Sequence, residues 1–194
     1  MAPFAYAYGE SKTYIPDLTH SHIGFEIEHF GFSRTVGSFN QFDGVFILDV
    51  DKKALTKIEV SIETASIDTN HAKRDQHLLA EDFFNQSQFP QMTFSGQKII
   101  MHDGEHGVIN GDLTILGVTK PIQLDFNVRK IGTVPIPAYQ KAETIGIEAQ
   151  GVIKRSDFGM DKFLGPIGDE VYLNIHLDLV DCNPSTQSSP ACQR

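Results

Sequence analysis

The chain has no tryptophan, only two cysteines and no apolar run long enough to cross a membrane. Its uninterrupted apolar stretches are short, as from Val45 to Leu48. A membrane-spanning helix needs roughly 18 consecutive apolar residues or more. We therefore expect no stable insertion into a membrane.

Positive charge is also scarce. The sequence carries 16 Lys and Arg against 25 Asp and Glu, which gives a formal net charge of -9 at pH 7, and it contains no cluster of Lys or Arg. This balance opposes adsorption to nucleic acid or to an anionic bilayer, because both are negatively charged. Nucleic acid is therefore not an expected partner.

Motifs that carry catalytic chemistry are missing as well. The sequence has no Gly-rich phosphate loop, no nucleophile elbow and no Cys/His nucleophile pair. His20 and His22 have an acceptable spacing for two metal ligands, but no third ligand accompanies them. Arg74, Asp75 and His77 do not all converge on one point of a helix, and we interpret them as structural. The sequence thus predicts no catalytic and no metal-binding residue.

The chain does contain a repeated alternation of apolar and polar residues. Ile145, Ile147, Ala149, Gly151 and Ile153 share one face of a predicted strand, and the residues between them are mostly polar. No linker rich in Pro, Gly or Ser separates two regions of different sequence pattern, so one domain is expected.

Further strand patterns cover most of the chain. Together with the segment 12–15 they indicate about eight or nine strands, the range of a closed up-and-down barrel or a two-sheet sandwich. Helical spacing over 71–84, with Asn70 as the N-cap, predicts one helix. The other strand patterns lie at 23–29, 42–48, 58–62, 92–94, 113–115, 122–128 and 171–179.

Four blocks of the sequence carry a family resemblance. They are HSHIGFEIEHFGFSRTVGSFNQFDG (20–44), TNHAKRDQHLLAEDFFNQSQFPQMTF (69–94), GDLTILGVTKPIQL (111–124) and KRSDFGMD (154–161). In this order they resemble the YceI-like family, the bacterial lipocalin-like polyisoprenoid-binding proteins. The resemblance implies an all-β fold, a single antiparallel up-and-down eight-stranded lipocalin-like barrel with one short helix. We expect an N-terminal extension at 1–10, the barrel at 11–182 and a C-terminal tail at 183–194.

Every second residue of a strand points to the same face, and we call this rule parity. Applied to the apolar rows, which should point inward, parity predicts which side chains surround the barrel axis. Small residues such as Gly111 and Ala149 either open a channel there or relieve crowding where the barrel tapers. Phe158, from the last of the four blocks, is added as a candidate ligand contact. The expected wall of an apolar tunnel consists of Phe25, Ile27, Phe46, Val60, Ile62, Phe94, Leu113, Ile115, Leu124, Phe126, Ile147, Leu173, Ile175 and Leu177.

Two of the predicted inward-facing rows of apolar residues end in a polar side chain. A cation that faces a lumen is costly unless it is paired or hydrated, so we expect Arg155 near an opening. There it either anchors a phosphate or a quinone carbonyl, or it pairs with Asp157 or Asp161. His29 is interpreted either as a structural histidine or as a contact to the ligand's head group.

The resemblance and the apolar rows together favour a binding protein. We expect non-enzymatic binding, storage or transport of a long-chain lipid, such as a polyisoprenoid or an isoprenoid quinone, with no cofactor besides that lipid. A lipid-modifying enzyme such as an isomerase, with His29 and Arg155 as its candidate groups, is one alternative. A structural or interaction barrel with a filled core is another. The sequence is compatible with a monomer or a homodimer.

Cys182 and Cys192 bear on the cellular compartment. They could form a disulfide across a short loop in an oxidising compartment, or they could be two unrelated thiols. The first ten residues have neither a basic n-region nor an apolar h-region, which suits a chain that is not exported or a mature domain without its signal. The resemblance implies a periplasmic or secreted protein. We expect a loosely packed tail whose disulfide matters little to the barrel.

Overall fold

The computed structural model describes residues 11–49 and 54–193. The predicted N-terminal extension, residues 1–10, lies outside the described residues, as does the last residue of the predicted tail. The strands are β1 (Ser11–Pro16), β2 (His22–His29), β3 (Ser33–Phe39), β4 (Phe42–Asp49), β5 (Ala54–Glu63), β6 (Ile67–Asp68), β7 (Gln91–Met101), β8 (His106–Ile115), β9 (Val118–Thr133), β10 (Glu143–Lys154) and β11 (Ile167–Asp181).

These strands form one closed antiparallel sheet. Around the ring the order is β1, β4, β5, β7, β8, β9, β10 and β11, and β1 closes the ring by pairing with the C-terminal part of β11. β2 pairs with the N-terminal part of β11, so β1 and β2 are two segments of one wall strand. β3 and β6 extend the neighbouring wall strands in the same way. The prediction of an all-β up-and-down barrel of eight strands is confirmed.

The two ends of the barrel are covered differently. We call the end formed by the β2–β3 turn and the segment 155–166 the loop end; His29 pairs there with Ile167. We call the opposite end, where residues 182–193 pack, the tail end. Near the tail end Tyr14 and Leu179 are fully buried, and Ile145 packs in the same cluster. These side chains pack closely in the barrel interior near the tail end.

One α-helix, α1 (Ala72–Leu78), interrupts the described strands and is shorter than predicted. Its N-cap is His71 rather than Asn70, because the Nδ1 atom of His71 accepts a hydrogen bond from the backbone N–H of Arg74 at 3.2 Å. The predicted structural role of Arg74 is confirmed. Its guanidinium Nη2 donates to the backbone carbonyl of Thr69 at 2.6 Å and fixes α1 to the end of β6.

After α1 the chain folds into turns instead of continuing the helix. The backbone N–H of Phe84 donates to the carbonyl of Leu78 at 2.9 Å, and Asn85 has a φ of 42°, which asparagine tolerates well. These turns place Phe84 edge-on against Phe39, with ring centroids 5.7 Å apart. Burial of the Phe84 ring in the barrel therefore outweighs local helix propensity.

Two of the small inward residues accommodate large neighbours. A Cβ atom on Gly111 would collide with the ring of Phe94, and one on Gly151 would collide with the side chain of Leu124. These glycines relieve crowding, as the second of our two interpretations proposed. Ala149 instead borders open space on the barrel axis.

The C-terminal tail is packed, which contradicts the expectation of a loose segment. Ser189 is fully buried, and Ala191 packs with Ala142, Val180 and the disulfide that joins Cys182 to Cys192. The expectation was wrong because it rested on the polar composition of the tail. A few small residues of the tail nevertheless pack against the end of β11.

A packed tail changes what we expect from the disulfide. Replacing both Cys182 and Cys192 with Ala frees a closed loop of about ten residues and should cost about 2–3 kcal/mol of stability by loop entropy. For a chain of this size that corresponds to a fall in Tm of about 4–12 °C. Thermal unfolding followed by circular dichroism checks this, and an unchanged Tm would show that the tail adds nothing to the fold.

Candidate functional site

An apolar cavity of about 160 Å³ lies on the barrel axis. Side chains from every part of the ring line it, and the wall that the described residues form is entirely apolar. An engineered cavity of about 150 Å³ lined by Leu, Ile and Phe stays dry and binds benzene. The axial cavity therefore suits an apolar guest rather than ordered water.

The inward rows predicted from parity form most of this wall. Thirteen of the fourteen apolar residues predicted as the tunnel wall border the cavity: Phe25, Phe46, Val60, Ile62, Phe94, Leu113, Ile115, Leu124, Phe126, Ile147, Leu173, Ile175 and Leu177. Whether a ligand contacts them stays a prediction.

Part of the wall is incompletely covered by protein. Phe25, Val60, Leu173, Ile175 and Leu177 point into the barrel but are only half-buried. Each buried methylene contributes about 0.8 kcal/mol. The uncovered apolar surface of these residues can therefore stabilise a guest that fills the cavity.

Three predicted contacts lie outside the cavity wall. His29 is the last residue of β2, is exposed, and packs edge-on against Phe30 with ring centroids 4.7 Å apart. Ile27 also lies near the loop end, beyond the cavity. Phe158 is buried in the core but lies in the 3-10 turn Arg155–Phe158 and does not border the cavity. Parity placed Ile27 and His29 at the lumen, but the cavity ends before β2 does, and Phe158 had been chosen from its sequence block rather than from a strand pattern.

The expectation that Arg155 lies at an opening is wrong. Its side chain is 3% exposed, and its guanidinium donates to four backbone carbonyls. Nε donates to Gly168 at 2.8 Å, Nη1 to Met160 and Lys162 at 2.8 Å each, and Nη2 to Ile167 at 3.3 Å. Neither Asp157 nor Asp161 forms the predicted pair.

These bonds assign Arg155 a structural role. Burial lowers the pKa of the guanidinium, while the nearby carboxylates of Asp169 and Asp161 oppose that effect. The cavity wall is apolar, so Arg155 borders the lumen through its aliphatic stem. Its charged group holds the segment 155–168 together and is not free to anchor a head group.

Sequence reasoning did not list several residues that border the cavity. Most of them extend rows that parity had already identified, and that signal could have found them. Phe39, Phe84 and Met160 had no such signal, because they come from a strand that was not predicted and from irregular segments. The residues that extend known rows are Ile23, Ile58, Met92, Ile109, Ile122, Ala149, Ile153 and Val171.

A polar network lies outside the cavity, at the junction of β1 and β2. Asp17 is 3% exposed, and its Oδ2 atom accepts a hydrogen bond from the Tyr139 hydroxyl at 2.7 Å and contacts the Nδ1 atom of His20 at 2.9 Å. Burial alone would raise the pKa of Asp17, but the bonds from His20, Tyr139 and Thr19 outweigh it and lower that pKa. The bond to Asp17 raises the pKa of His20. The network ties the residues between β9 and β10 to the barrel.

The described residues hold neither a cluster of metal ligands nor a helix that could span a membrane. Within 11–49 and 54–193, His, Cys, Asp and Glu side chains do not gather in a group of three that could hold a metal ion. No helix in the same residues has the length and apolar character that crossing a bilayer requires.

A closed antiparallel barrel around an apolar axial cavity defines the class of lipocalin-like proteins. A family model described as the YceI-like domain matches residues 14–179. Protein YceI of Escherichia coli O157:H7 is 41% identical over 159 residues, which cover 82% of this chain and 81% of that protein. The chain belongs to the YceI-like family, as the sequence blocks predicted.

Solved structures share the fold. The YCEI protein of Campylobacter jejuni matches with a TM-score of 0.69 and 33% identity, over 80% of this chain and 90% of that one. A polyisoprenoid-binding domain from Saccharophagus degradans, implicated in plant cell wall breakdown, matches with a TM-score of 0.67 over 89% of this chain and 99% of that one. At 14% identity, this second likeness concerns the fold alone.

The contacts of Arg155 predict a loss of stability upon its removal. Arg155→Met leaves the carbonyls without their charged donor and should lower the free energy of unfolding by about 3–5 kcal/mol. Lys154→Met, at an exposed position next to it, is the control and should change stability by less than about 0.5 kcal/mol. Urea unfolding measures both variants, and equal small effects would contradict the structural role.

The raised pKa of His20 predicts a pH-dependent contribution to stability. That contribution is fully present below the unfolded pKa of about 6.5 and is lost as the pH rises through the higher folded pKa. The Tm difference between the parent and His20→Gln should therefore be larger at about pH 5.5 than at about pH 8. The Tm difference should be small at both pH values, because the His20 side chain is 58% exposed.

His102→Gln, in an exposed turn outside the network, controls for the loss of a histidine. Thermal unfolding across this pH range is the measurement. A Tm difference for His20→Gln that grew with pH would show that the Asp17–His20 contact does not stabilise the fold.

Proposed function

We propose that this protein binds a long-chain apolar lipid, a polyisoprenoid or an isoprenoid quinone, inside the barrel and leaves it chemically unchanged. The observation that carries the proposal is the axial cavity, whose wall is apolar and partly uncovered. The polyisoprenoid-binding domain of the same fold supports the choice of lipid class. Storage or transport follows from binding without reaction.

Binding a long chain requires the cavity to widen. Its volume of about 160 Å³ suits a benzene-sized guest, so side chains must rotate to admit many isoprene units. Met92 and Met160 border the cavity and have flexible side chains, and Phe84 comes from a segment of turns rather than a strand. These residues are the ones we expect to move.

The absence of a free acid or base at the cavity supports binding over catalysis. A lipid isomerase would need such a group beside the reacting bond. Of the two candidates from the sequence, His29 is exposed outside the cavity and Arg155 is committed to backbone carbonyls. The described residues around the cavity offer no replacement for them.

We further propose that the protein acts in the periplasm or outside the cell. The disulfide between Cys182 and Cys192 supports this compartment, because disulfides persist where the environment is oxidising. Treatment of intact cells with a membrane-impermeant thiol reagent after mild reduction tests it: labelling of the two cysteines is expected, and its absence would place the protein in the cytoplasm.

Filling the cavity tests the binding proposal. Ala149→Phe places a ring in the lumen and should abolish the lipid recovered with the purified protein and the uptake of a fluorescent polyprenyl probe, while the fold is retained. Val152→Phe adds the same ring on the outer face of β10, where Val152 is 51% exposed, and should leave both unchanged. Mass spectrometry of the denatured proteins measures the bound lipid.

The matched pair separates the alternatives. Equal probe uptake by Ala149→Phe and the parent would exclude the axial cavity as the binding site. Failure of the parent to take up the probe would favour a structural barrel, and chemical change of the lipid during incubation would favour an enzyme.

A further inference from the structure

Four large apolar side chains are exposed at the loop end. Phe30, Phe32, Phe163 and Leu164 are 57%, 91%, 52% and 40% exposed, and we call them the aromatic rim. They come from the β2–β3 turn and the segment 155–166, which are joined by a 2.8 Å hydrogen bond from the backbone N–H of Phe30 to the carbonyl of Pro166. Exposed apolar clusters of this kind mark interaction surfaces.

Local backbone conformation does not explain these aromatic residues. Phe30 has a φ of 53° and Phe163 a φ of 58°, in the left-handed region that a bulky side chain disfavours. Asparagine or glycine would fit both positions better. Phe30 contacts the His29 ring and Phe163 contacts the rings of His77 and Phe83, but no rim residue belongs to the buried core. Their exposed apolar surface points to a role outside folding.

The aromatic rim lies at the loop end, next to residues that border the lumen. Arg155 borders the cavity, and its guanidinium holds the carbonyls of Met160 and Lys162, next to Phe163. Tyr14 and Leu179 are fully buried near the tail end. A lipid that enters the lumen from the loop end passes the aromatic rim.

Two cations near the aromatic rim are paired with carboxylates, while Asp157 and Asp161 add negative charge to the segment 155–166. Lys162 lies 3.4 Å from Asp82, and Arg34 lies 3.3 Å from Glu26. The stretches 30–32 and 163–166 contain no charged residue. These uncharged stretches match an uncharged or zwitterionic surface, and the net charge of -9 opposes an anionic bilayer.

We propose that the aromatic rim docks reversibly on a zwitterionic phospholipid bilayer and that the lipid passes there directly between bilayer and lumen. The proposal rests on the proposed lipid-binding function. Aromatic and leucine side chains enter the boundary between head groups and acyl chains. Lys162, whose Nζ atom lies 5.4 Å from the Phe163 ring centroid, keeps its charge among the head groups.

Flotation with phosphatidylcholine vesicles tests the docking surface. Replacing Phe32 with Ser or Phe163 with Asn should lower the partition coefficient by roughly tenfold each, since each change removes a phenyl ring that docking buries in the bilayer. Phe163→Asn should unfold at the same temperature as the parent or higher, because asparagine tolerates the left-handed backbone. Loss of vesicle binding without loss of stability is the expected signature.

Ile131→Ser is the matched control for these variants. Ile131 is 60% exposed and pairs with Ile145 near the tail end, so its replacement should leave vesicle binding unchanged. Phosphatidylglycerol in the vesicles should not strengthen binding by the parent. An equal loss in the control, or no loss in the Phe32 and Phe163 variants, would overturn the docking proposal.

Transfer kinetics test the direct passage of lipid. With a fluorescent polyprenyl probe loaded into the parent, the transfer rate should rise linearly with vesicle concentration, because transfer requires contact. A rate independent of vesicle concentration would mean that the probe crosses water and would overturn direct passage. The Phe32 and Phe163 variants should transfer the probe more slowly at equal vesicle concentration.

Loading without vesicles separates this proposal from the proposed function. Dilution of the probe from ethanol should load the parent and both rim variants equally. If the parent does not load, lipid binding itself fails. If the parent and both rim variants load but the variants bind vesicles as well as the parent does, only docking fails. If the substitutions in the rim variants change the sedimentation coefficient of the protein, the rim is a contact between two copies and the bilayer proposal is wrong.

Discussion

Closure of the sheet by β11 is the constraint on which the rest of the structure depends. This long strand pairs with β10 on one side and with β1 and β2 in succession on the other. Closure removes the unpaired edges and turns one face of every wall strand inward. The inward face must then be apolar throughout, because no water is available there to satisfy polar groups.

An interior of eight strands is narrow, and its packing decides between a core and a lumen. Near the tail end, Tyr14, Leu179 and Ile145 are buried and pack in one cluster. Further along, Ala149 and the half-buried side chains of β11 leave space on the axis. The cavity thus arises because side chains locally leave part of the barrel interior empty. An apolar guest that fills this space stabilises the protein by contacting the exposed apolar wall.

The loop end depends on a different interaction. The segment 155–168 places Phe158 and Met160 in the core, and the guanidinium of Arg155 joins its irregular backbone by hydrogen bonds to four carbonyls. Planar geometry and five donors make arginine suited to this task. By ordering this segment, one buried cation positions Met160 at the lumen and Phe163 at the surface.

The sequence by itself determined the strands and most of the inward wall, because alternation specifies which face of a strand is buried without reference to distant residues. The choice of a barrel over a two-sheet sandwich came from the family resemblance. Alternation therefore predicted Phe94, Leu113 and Ile147 at the cavity. It did not predict Phe39 and Phe84, or the partners of Arg155, because these contacts join residues far apart in the chain or within irregular segments. Only the tertiary structure decided where the cavity ends and whether Arg155 is free, since both depend on how side chains from separate segments share one volume.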